Sequence, residues 1–279
     1  MISDADRLRR AEAFRRLHDG PTFVLPNPWD AGSARVLTGL GFPALATTSG
    51  GLAFGLGRRD GANLVSRQET LDNVRAVVAA TPLPVAADLE NGFGATPDEV
   101  ARTIDLTAGA GAVGGSIEDA TGEADRPIFD LAEAVDRVTA AVEAARALPF
   151  PFTLVARAEN FLYGRPDLDD TIRRLQAYQA AGADVLYAPG LPDAAAVRAV
   201  CAAVDRPVNA LAGGSTALTV ATLAECGVRR VSLGSALARV ALSAMVEAAT
   251  EVRDHGTFAA TSRAMSYPRV NALWPEVDR

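Results

Sequence analysis

Histidine and cysteine are scarce in this chain, with two of each in 279 residues. His18 and His255 both fall in helical segments near the chain ends and are expected at the surface, so a histidine general base or a Ser-His-Asp arrangement has no source. Cys201 and Cys226 lie in expected helices without a motif, which suits free thiols in a reducing cytoplasm. No apolar run approaches the roughly 20 residues of a membrane helix. The opening stretch MISDADRLRRAEAFRRLHDG carries charge throughout and has no signal-peptide core. Basic charge is not in excess either: a net charge of -7 and a pI near 5.0 leave no footprint for nucleic acid. Also missing is a strand followed by G-x-G-x-x-G and a ribose-binding acid, the mark of an open dinucleotide-binding sheet. These absences point to a cytoplasmic protein that handles a small molecule, away from membranes and nucleic acid.

What is present is a repeated alternation. TFVL, ALATT, LPVAADL, VGGSIE, FTLVARA, DVLYA, RPVNAL and RRVSL read as eight short strands, separated by longer stretches of helical period. Runs such as VLYA and TLVA are apolar throughout, as strands buried on both faces require, so a parallel sheet under helices is expected. Helix starts are marked by Ser66 with Glu69, by Thr96 with Glu99 and Pro97, and more loosely by Asp130 with Glu133. Gly41, Gly111, Gly182 and Gly227 close helices just before strands. An opening helix, Asp4 to Leu17, precedes the first strand. The fold class is α/β, a (β/α)8 TIM-type barrel forming a single domain over residues 1–279. An Ala-rich amphipathic segment at about 235–255 presents an apolar face that needs a partner, and residues 256–279 form a tail.

Three strands release charged groups at the same end. Asp88 and Glu90 stand in VAADLENGFG, Glu118 and Asp119 in GGSIEDA, and Arg157 and Glu159 in LVARAEN. Convergent carboxylates are stable around a cation or shared protons, and an oxygen-rich set without His or Cys suits Mg²⁺ or Mn²⁺ better than zinc. Asp88 and Glu118 directly follow apolar runs and read as functional. Glu90, Asp119 and Glu159 divide evenly between supporting a metal and pairing on the rim. Arg157 calls for carboxylate partners, a bound anion or both. In ATTSGGLAFGLGRRDG, residues 46–61, Ser49, Gly50 and Gly51 offer backbone N–H groups to a carboxylate, although glycine richness also marks simple flexibility. Asp30 is expected to cap a helix, and Trp29 covers either a ligand or the core. Tyr163, Tyr187 and Asn209, at later strand ends, either contact ligand or pack against loops.

The segments LPNPWDAGSARVLTGLGFPALATTSGG, GLGRRDG, PVAADLENGFG, GSIEDA and LVARAEN, from about Val24 to Leu242, resemble in order and spacing the isocitrate lyase and phosphoenolpyruvate mutase superfamily. That resemblance implies a barrel that binds Mg²⁺ and a small 2-oxo or 2-hydroxy carboxylate and makes or breaks C–C or C–P bonds through an enolate. It implies metal ligation by Asp88, Glu90 and Glu118, directly or through water. It assigns substrate contacts to Ser49, Gly50, Gly51, Trp29 and Arg157, to which the strand-end positions add Asp88, Tyr187 and Asn209, and the expected catalytic residues are Arg157, Asp60 and Glu118. Asp60 would ride on a mobile loop. A last barrel helix exchanged between subunits, beginning near Ser235, implies a homodimer or homotetramer. The lyase segment Lys-Lys/Arg-Cys-Gly-His has no counterpart in IEDATGEADRPIFD, and a Pro-Glu pair is replaced by Ala188 and Pro189. The expected activity is therefore Mg-dependent C–C cleavage or decarboxylation of a small 2-oxo or 2-hydroxy acid. The alternative is a protein that binds metal and a 2-oxo acid such as 2-oxoglutarate without lyase turnover.

Overall fold

The computed structural model describes residues 2–212 and 218–274. All eight expected strands form: β1 (Phe23–Leu25), β2 (Leu45–Ala46), β3 (Val85–Asp88), β4 (Gly114–Glu118), β5 (Thr153–Arg157), β6 (Val185–Tyr187), β7 (Val208–Leu211) and β8 (Arg230–Ser232). They pair in parallel in the order β1-β8-β7-β6-β5-β4-β3-β2. The Ala46 N–H donates to the Pro26 carbonyl at 3.1 Å, which brings β2 back toward β1 and nearly closes the barrel. The helices are α1 (Asp4–Leu17), α2 (Ala31–Gly39), α3 (Ser49–Gly55), α4 (Arg67–Ala79), α5 (Pro97–Gly109), α6 (Leu131–Ala147), α7 (Leu168–Ala180), α8 (Ala194–Ala203), α9 (Val220–Glu225), α10 (Ala236–His255) and α11 (Tyr267–Asn271). A (β/α)8 TIM-type barrel is the result, and its catalytic groups belong at the C-terminal ends of the strands. In the tail, a 3₁₀ turn at Thr261–Arg263 and α11 add short elements, while residues 275–279 lie outside the described residues.

Local signals account for most boundaries. Ser66 and Glu69 form the reciprocal capping box, and Asp30 forms another with Ser33 at the start of α2. At α5, Thr96 caps the Glu99 N–H, but the Glu99 carboxylate turns back to the Ala95 N–H at 2.9 Å instead of completing the box. Asp130 makes no side-chain cap bond. The glycine-rich stretch after β2 is a helix rather than an open loop: Thr48 caps α3 through the Gly51 N–H, and α3 runs through Gly55.

α1 lies across the N-terminal ends of the strands. Phe14 is fully buried against the start of β4, and Arg10 donates to the Thr81 carbonyl at 3.0 Å, before β3. His18 completes this floor and corrects the expectation of a surface residue, being 6% exposed. Its ring meets Phe14 and Phe23 edge-on, with centroids 5.0 and 5.2 Å away. Nδ1 lies 3.0 Å from the Phe14 carbonyl. This burial was not legible in the sequence, because a histidine just past a strongly charged helix reads as solvated until its neighbours are known.

Burial pulls the His18 pKa down to about 3, and the nearby Arg230 adds to the fall. An unfolded chain binds a proton at His18 below about pH 6.5 that the folded chain refuses, so stability is full above that pH and falls as pH drops toward 3. Between pH 6.5 and 5 the loss attributable to this group is about 2 kcal/mol, at 1.36 kcal/mol per unit. Urea unfolding at pH 7 and pH 5 should therefore show a loss in the wild type that exceeds the loss in His18→Gln by about that amount. Equal losses would mean that other groups carry the acid sensitivity.

Candidate active site

β3, β4, β5 and β6 deliver their last residues side by side. The register pairs Asp88 with Ser116, Glu118 with Arg157, and Arg157 with Tyr187. Arg157 is the hub. Its Nη1 donates to Asp88 Oδ1 at 3.0 Å, its Nε donates to Glu159 Oε1 at 2.8 Å, and its Nη2 lies 3.0 Å from Glu118 Oε2. The guanidinium also stands 5.1 Å from the centroid of the Tyr187 ring. Both roles foreseen for Arg157 remain open to it, since three carboxylates occupy three of its five N–H groups and leave two for a ligand. Burial works against the charge, but the three carboxylates outweigh it and keep Arg157 firmly protonated.

Asp88 spends its other oxygen at the start of α3, where Oδ2 accepts from the Ser49 N–H at 2.9 Å and the Ser49 hydroxyl at 2.8 Å. Asp60 folds back against the same turn. A Cβ added at Gly50 would stand 2.6 Å from Asp60 Oδ2, so glycine here permits the approach. The Asp60 residue is exposed at its outer edge, yet enough protein crowds its carboxyl that burial, followed by repulsion from Asp88, raises its pKa. Glu90 has a left-handed backbone, φ 48°, and its pKa is pushed up to about 7 by burial and then by Asp88 and Asp60. The loop that carries it is fixed by Arg137 of α6, which donates to the carbonyls of Asn91, Gly94 and Ala95. Burial pushes Glu118 well above the usual carboxylate range despite Arg157 beside it.

Below this cluster is a cavity of about 230 Å³ lined by, among others, Ser49, Gly50, Asp60, Asp88, Arg157 and Tyr187. It is smaller than the roughly 300–1,000 Å³ of sites for drug-sized ligands, which suits a small acid. Asn209, on β7, also lines it. Asn27 holds the rim together: its amide donates to the Thr47 carbonyl at 3.0 Å, and its Oδ1 accepts from the Leu233 and Gly234 N–H groups at 2.8 and 2.9 Å.

Not every expected residue reaches the cavity. Trp29 packs against Gly51, where an added Cβ would meet Trp29 Cβ at 2.8 Å, and neither residue lines the cavity. Glu90 faces a neighbouring recess with Asn63, Arg67 and Phe93, while Glu118 supports Arg157 from behind. Asp119 serves the barrel wall: it accepts from the Glu159 N–H at 2.8 Å, from Arg174 at 3.0 Å and from the Tyr178 hydroxyl at 2.6 Å. Glu159 is the third partner of Arg157. Two features escaped the sequence reading. The chain contains no lysine, so no side-chain amine is available to form an imine with a 2-oxo acid. Arg230, within the run RRVSL, lines the cavity, and an arginine at the start of an inner barrel strand was the available signal.

The donor set fits a hard cation held largely through water. Among the described residues no three acidic, His or Cys groups stand close enough to hold a metal ion together, so Asp88, Glu90 and Glu118 do not form a direct cage. Mutual repulsion among Asp60, Asp88 and Glu90 is nevertheless what a cation beside them would relieve, and magnesium keeps most of its waters.

A (β/α)8 barrel whose mouth gathers an arginine and several carboxylates over a small cavity is the architecture of an enzyme acting on a small anion. The chain belongs to the phosphoenolpyruvate phosphomutase family, whose model matches residues 14–253. A protein of Burkholderia cenocepacia J2315 classed as a lyase/mutase is 56% identical in sequence; its crystal structure superposes with a TM-score of 0.95 and 98% coverage of each chain. The oxaloacetate decarboxylase of Bradyrhizobium diazoefficiens is 36% identical over 207 residues, which is 71% of this chain and 69% of that protein. Oxaloacetate acetylhydrolase in complex with its product oxalate is 28% identical, with a TM-score of 0.84 over 94% of this chain and 93% of that one. The chain is thus a member of the phosphoenolpyruvate mutase and isocitrate lyase superfamily and an enzyme of its carbon–carbon lyase kind. No helix among the described residues is long and apolar enough to cross a membrane.

Proposed function

We propose that this protein is a Mg²⁺- or Mn²⁺-dependent decarboxylase or lyase of small 2-oxo or 2-hydroxy carboxylates that works through an enolate. The observation that carries this reading is Arg157, clamped by Asp88, Glu118 and Glu159 with two N–H groups to spare at a cavity of acid size. The names of the relatives, an oxaloacetate decarboxylase and an oxaloacetate acetylhydrolase, support the substrate class. When bound near Asp88, with Glu90 and Asp60 reached through water, a divalent cation would supply a Lewis acid for the substrate's carboxylate and 2-oxo oxygens.

The protein's own groups account for the remainder. With both Ser49 donors held by Asp88, the Gly50 N–H at the first turn of α3 orients the substrate carboxylate, and Arg157 stabilises the negative charge that moves onto the 2-oxo oxygen as the bond to the leaving group breaks. Glu118 and Glu159 are positioning residues that hold the guanidinium plane. Loss of carbon dioxide begins without a general base, and the electron pair left behind takes a proton at the adjacent carbon. Asp60, at the mouth and with its pKa raised by burial and by Asp88, is the acid placed to deliver that proton.

The segment that carries a thiol in the lyases is here a tight loop, with an antiparallel bridge between Ala120 and Ile128 and a 3.0 Å bond from the Thr121 N–H to the Pro127 carbonyl. It contains neither Cys nor His. A general acid or base contributes roughly 10²- to 10⁴-fold to rate. Cleavage of isocitrate or 2-methylisocitrate is accordingly expected to be very slow or undetectable, while Mg²⁺ and a 2-oxo acid still bind. A coupled lyase assay run beside calorimetric titration with oxaloacetate, pyruvate and 2-oxoglutarate makes the comparison. Rapid isocitrate cleavage would refute this reading of the loop. The same loop favours a second reading, a pocket that binds metal and 2-oxo acid without turnover, and binding of every acid in the panel with no product from any would establish it.

α10 leaves Val240, Met245 and Val246 well exposed, and only Ala238 of this helix is buried. We propose that a second copy of this single-domain barrel covers that face by exchanging α10, giving a homodimer or homotetramer.

A further inference from the structure

Three arginines are buried among the described residues, and two of them each donate to three protein acceptors. Arg174 pairs with Asp119 and Asp170, and Arg137 donates to three carbonyls of the loop after β3. Arg230 is different. It is 4% exposed, yet among the described residues it forms no ion pair. Its Nε donates to the Asn209 side-chain oxygen at 2.9 Å, and its Nη1 is buried without a partner among the described residues.

Strand geometry aims it at the active site. Residues two apart on a strand share a face, so Arg230 and Ser232 both line the cavity, while Val231 between them packs outward with Val197 and Leu223. Asn209, one strand over, donates to Ser232 Oγ at 2.9 Å and fixes the direction of Arg230. Arg157, Asp88 and Asp60 line the same cavity, but Asp88, Glu118 and Glu159 are committed to Arg157, and Asp60, at the opposite rim beside Gly50, makes no ion pair with Arg230. The groups that face Arg230 are His18, Tyr187, Arg157 and Asn209, and none of them carries a negative charge at neutral pH. Burial lowers its pKa to about 10; Tyr187 opposes the fall and Arg157 adds to it. A buried guanidinium in such surroundings is strongly stabilised by an anion that completes the site.

We propose that Arg230 binds the second carboxylate of the substrate and so selects 2-oxo dicarboxylates over monocarboxylates. This rests on the reading of the site as one for 2-oxo acids, with the first carboxylate at the Ser49 and Arg157 end. Hydrogen bonds to a charged group typically make a difference of about 10- to 100-fold in affinity. Oxaloacetate and 2-oxobutyrate have the same chain length and differ in the distal carboxylate, which makes them the natural pair.

The experiment is calorimetric titration of the full chain in Mg²⁺ buffer with both acids, for the wild type, Arg230→Gln and Arg230→Lys, together with thermal shift in succinate. The wild type should prefer oxaloacetate. Arg230→Gln should lose about 10- to 100-fold for oxaloacetate and less than threefold for 2-oxobutyrate. Arg230→Lys, which keeps the charge, should retain part of the preference and guards against a glutamine variant that fails to fold. Equal losses for the two acids, or unchanged oxaloacetate affinity in Arg230→Gln, would overturn the proposal and leave Arg230 to a buried water. If neither 2-oxo acid binds the wild type but succinate stabilises it and not Arg230→Gln, the 2-oxo acid reading falls while the anion site at Arg230 stands. If nothing stabilises the wild type, both fall.

Discussion

Arg157→Lys is expected to cut kcat/KM toward the best 2-oxo acid by about 10²- to 10³-fold, the usual cost of losing a donor aimed at developing negative charge. The arithmetic of donors gives the reason. Three carboxylates take Nε, Nη1 and Nη2 of Arg157 in one plane, and the two remaining N–H groups are fixed in direction by those partners. A lysine ammonium on a flexible stem cannot meet Asp88, Glu118 and Glu159 together and still present a fixed donor to substrate. At least one buried carboxylate would then lose its partner and retain a proton. Steady-state kinetics and urea unfolding of the same preparation separate the two consequences. A variant that keeps wild-type kcat/KM would show that Arg157 is a structural ion pair only.

Asp88→Ala is expected to abolish divalent-metal affinity and metal-dependent turnover while leaving the barrel folded. Asp88 stands where three elements meet, with Ser49 at the start of α3, Arg157 at the end of β5 and Ser116 Oγ on β4 at 3.4 Å from its Oδ1. Its removal takes a negative charge from the centre of the mouth, yet Arg157 keeps Glu118 and Glu159, and Thr48 still caps α3. The remaining cost resembles that of a lost helix cap, about 1 kcal/mol. Titration calorimetry with Mn²⁺ and circular dichroism on the same sample test both halves. Unchanged Mn²⁺ affinity would move the metal away from Asp88, whereas an unfolded product would make the residue structural.

The two substitutions read different links in one chain of causes. Arg157 and Asp88 are 69 positions apart and share a 3.0 Å bond only because β3, β4 and β5 are neighbours with a fixed register. A one-residue slip of β5 would turn Arg157 outward and bring Ala156 or Ala158 to the mouth. Carboxylates left without that guanidinium would have no reason to be buried.

The sequence alone determined the alternation of strand and helix, because apolar runs under helices and residues that cap helix ends are local physics. All eight strands, the opening helix from Asp4 to Leu17 and the caps at Ser66 and Asp30 were legible for that reason. That Asp88, Glu118 and Arg157 share one end of the barrel was legible too, since each closes a strand. Partners were not. That Asp119 belongs to Arg174 and Tyr178, that Trp29 leans on Gly51 outside the cavity, and that His18 is buried beneath the barrel depend on residues distant in the chain. The same holds for Arg230, an arginine at the start of a short strand until the closed sheet sets it among cavity-lining groups without an ion pair among the described residues. Period and propensity decide which face of an element is buried; only tertiary packing decides which charges meet there, because electrostatic pairing in a low-dielectric interior depends on distances that local sequence does not specify.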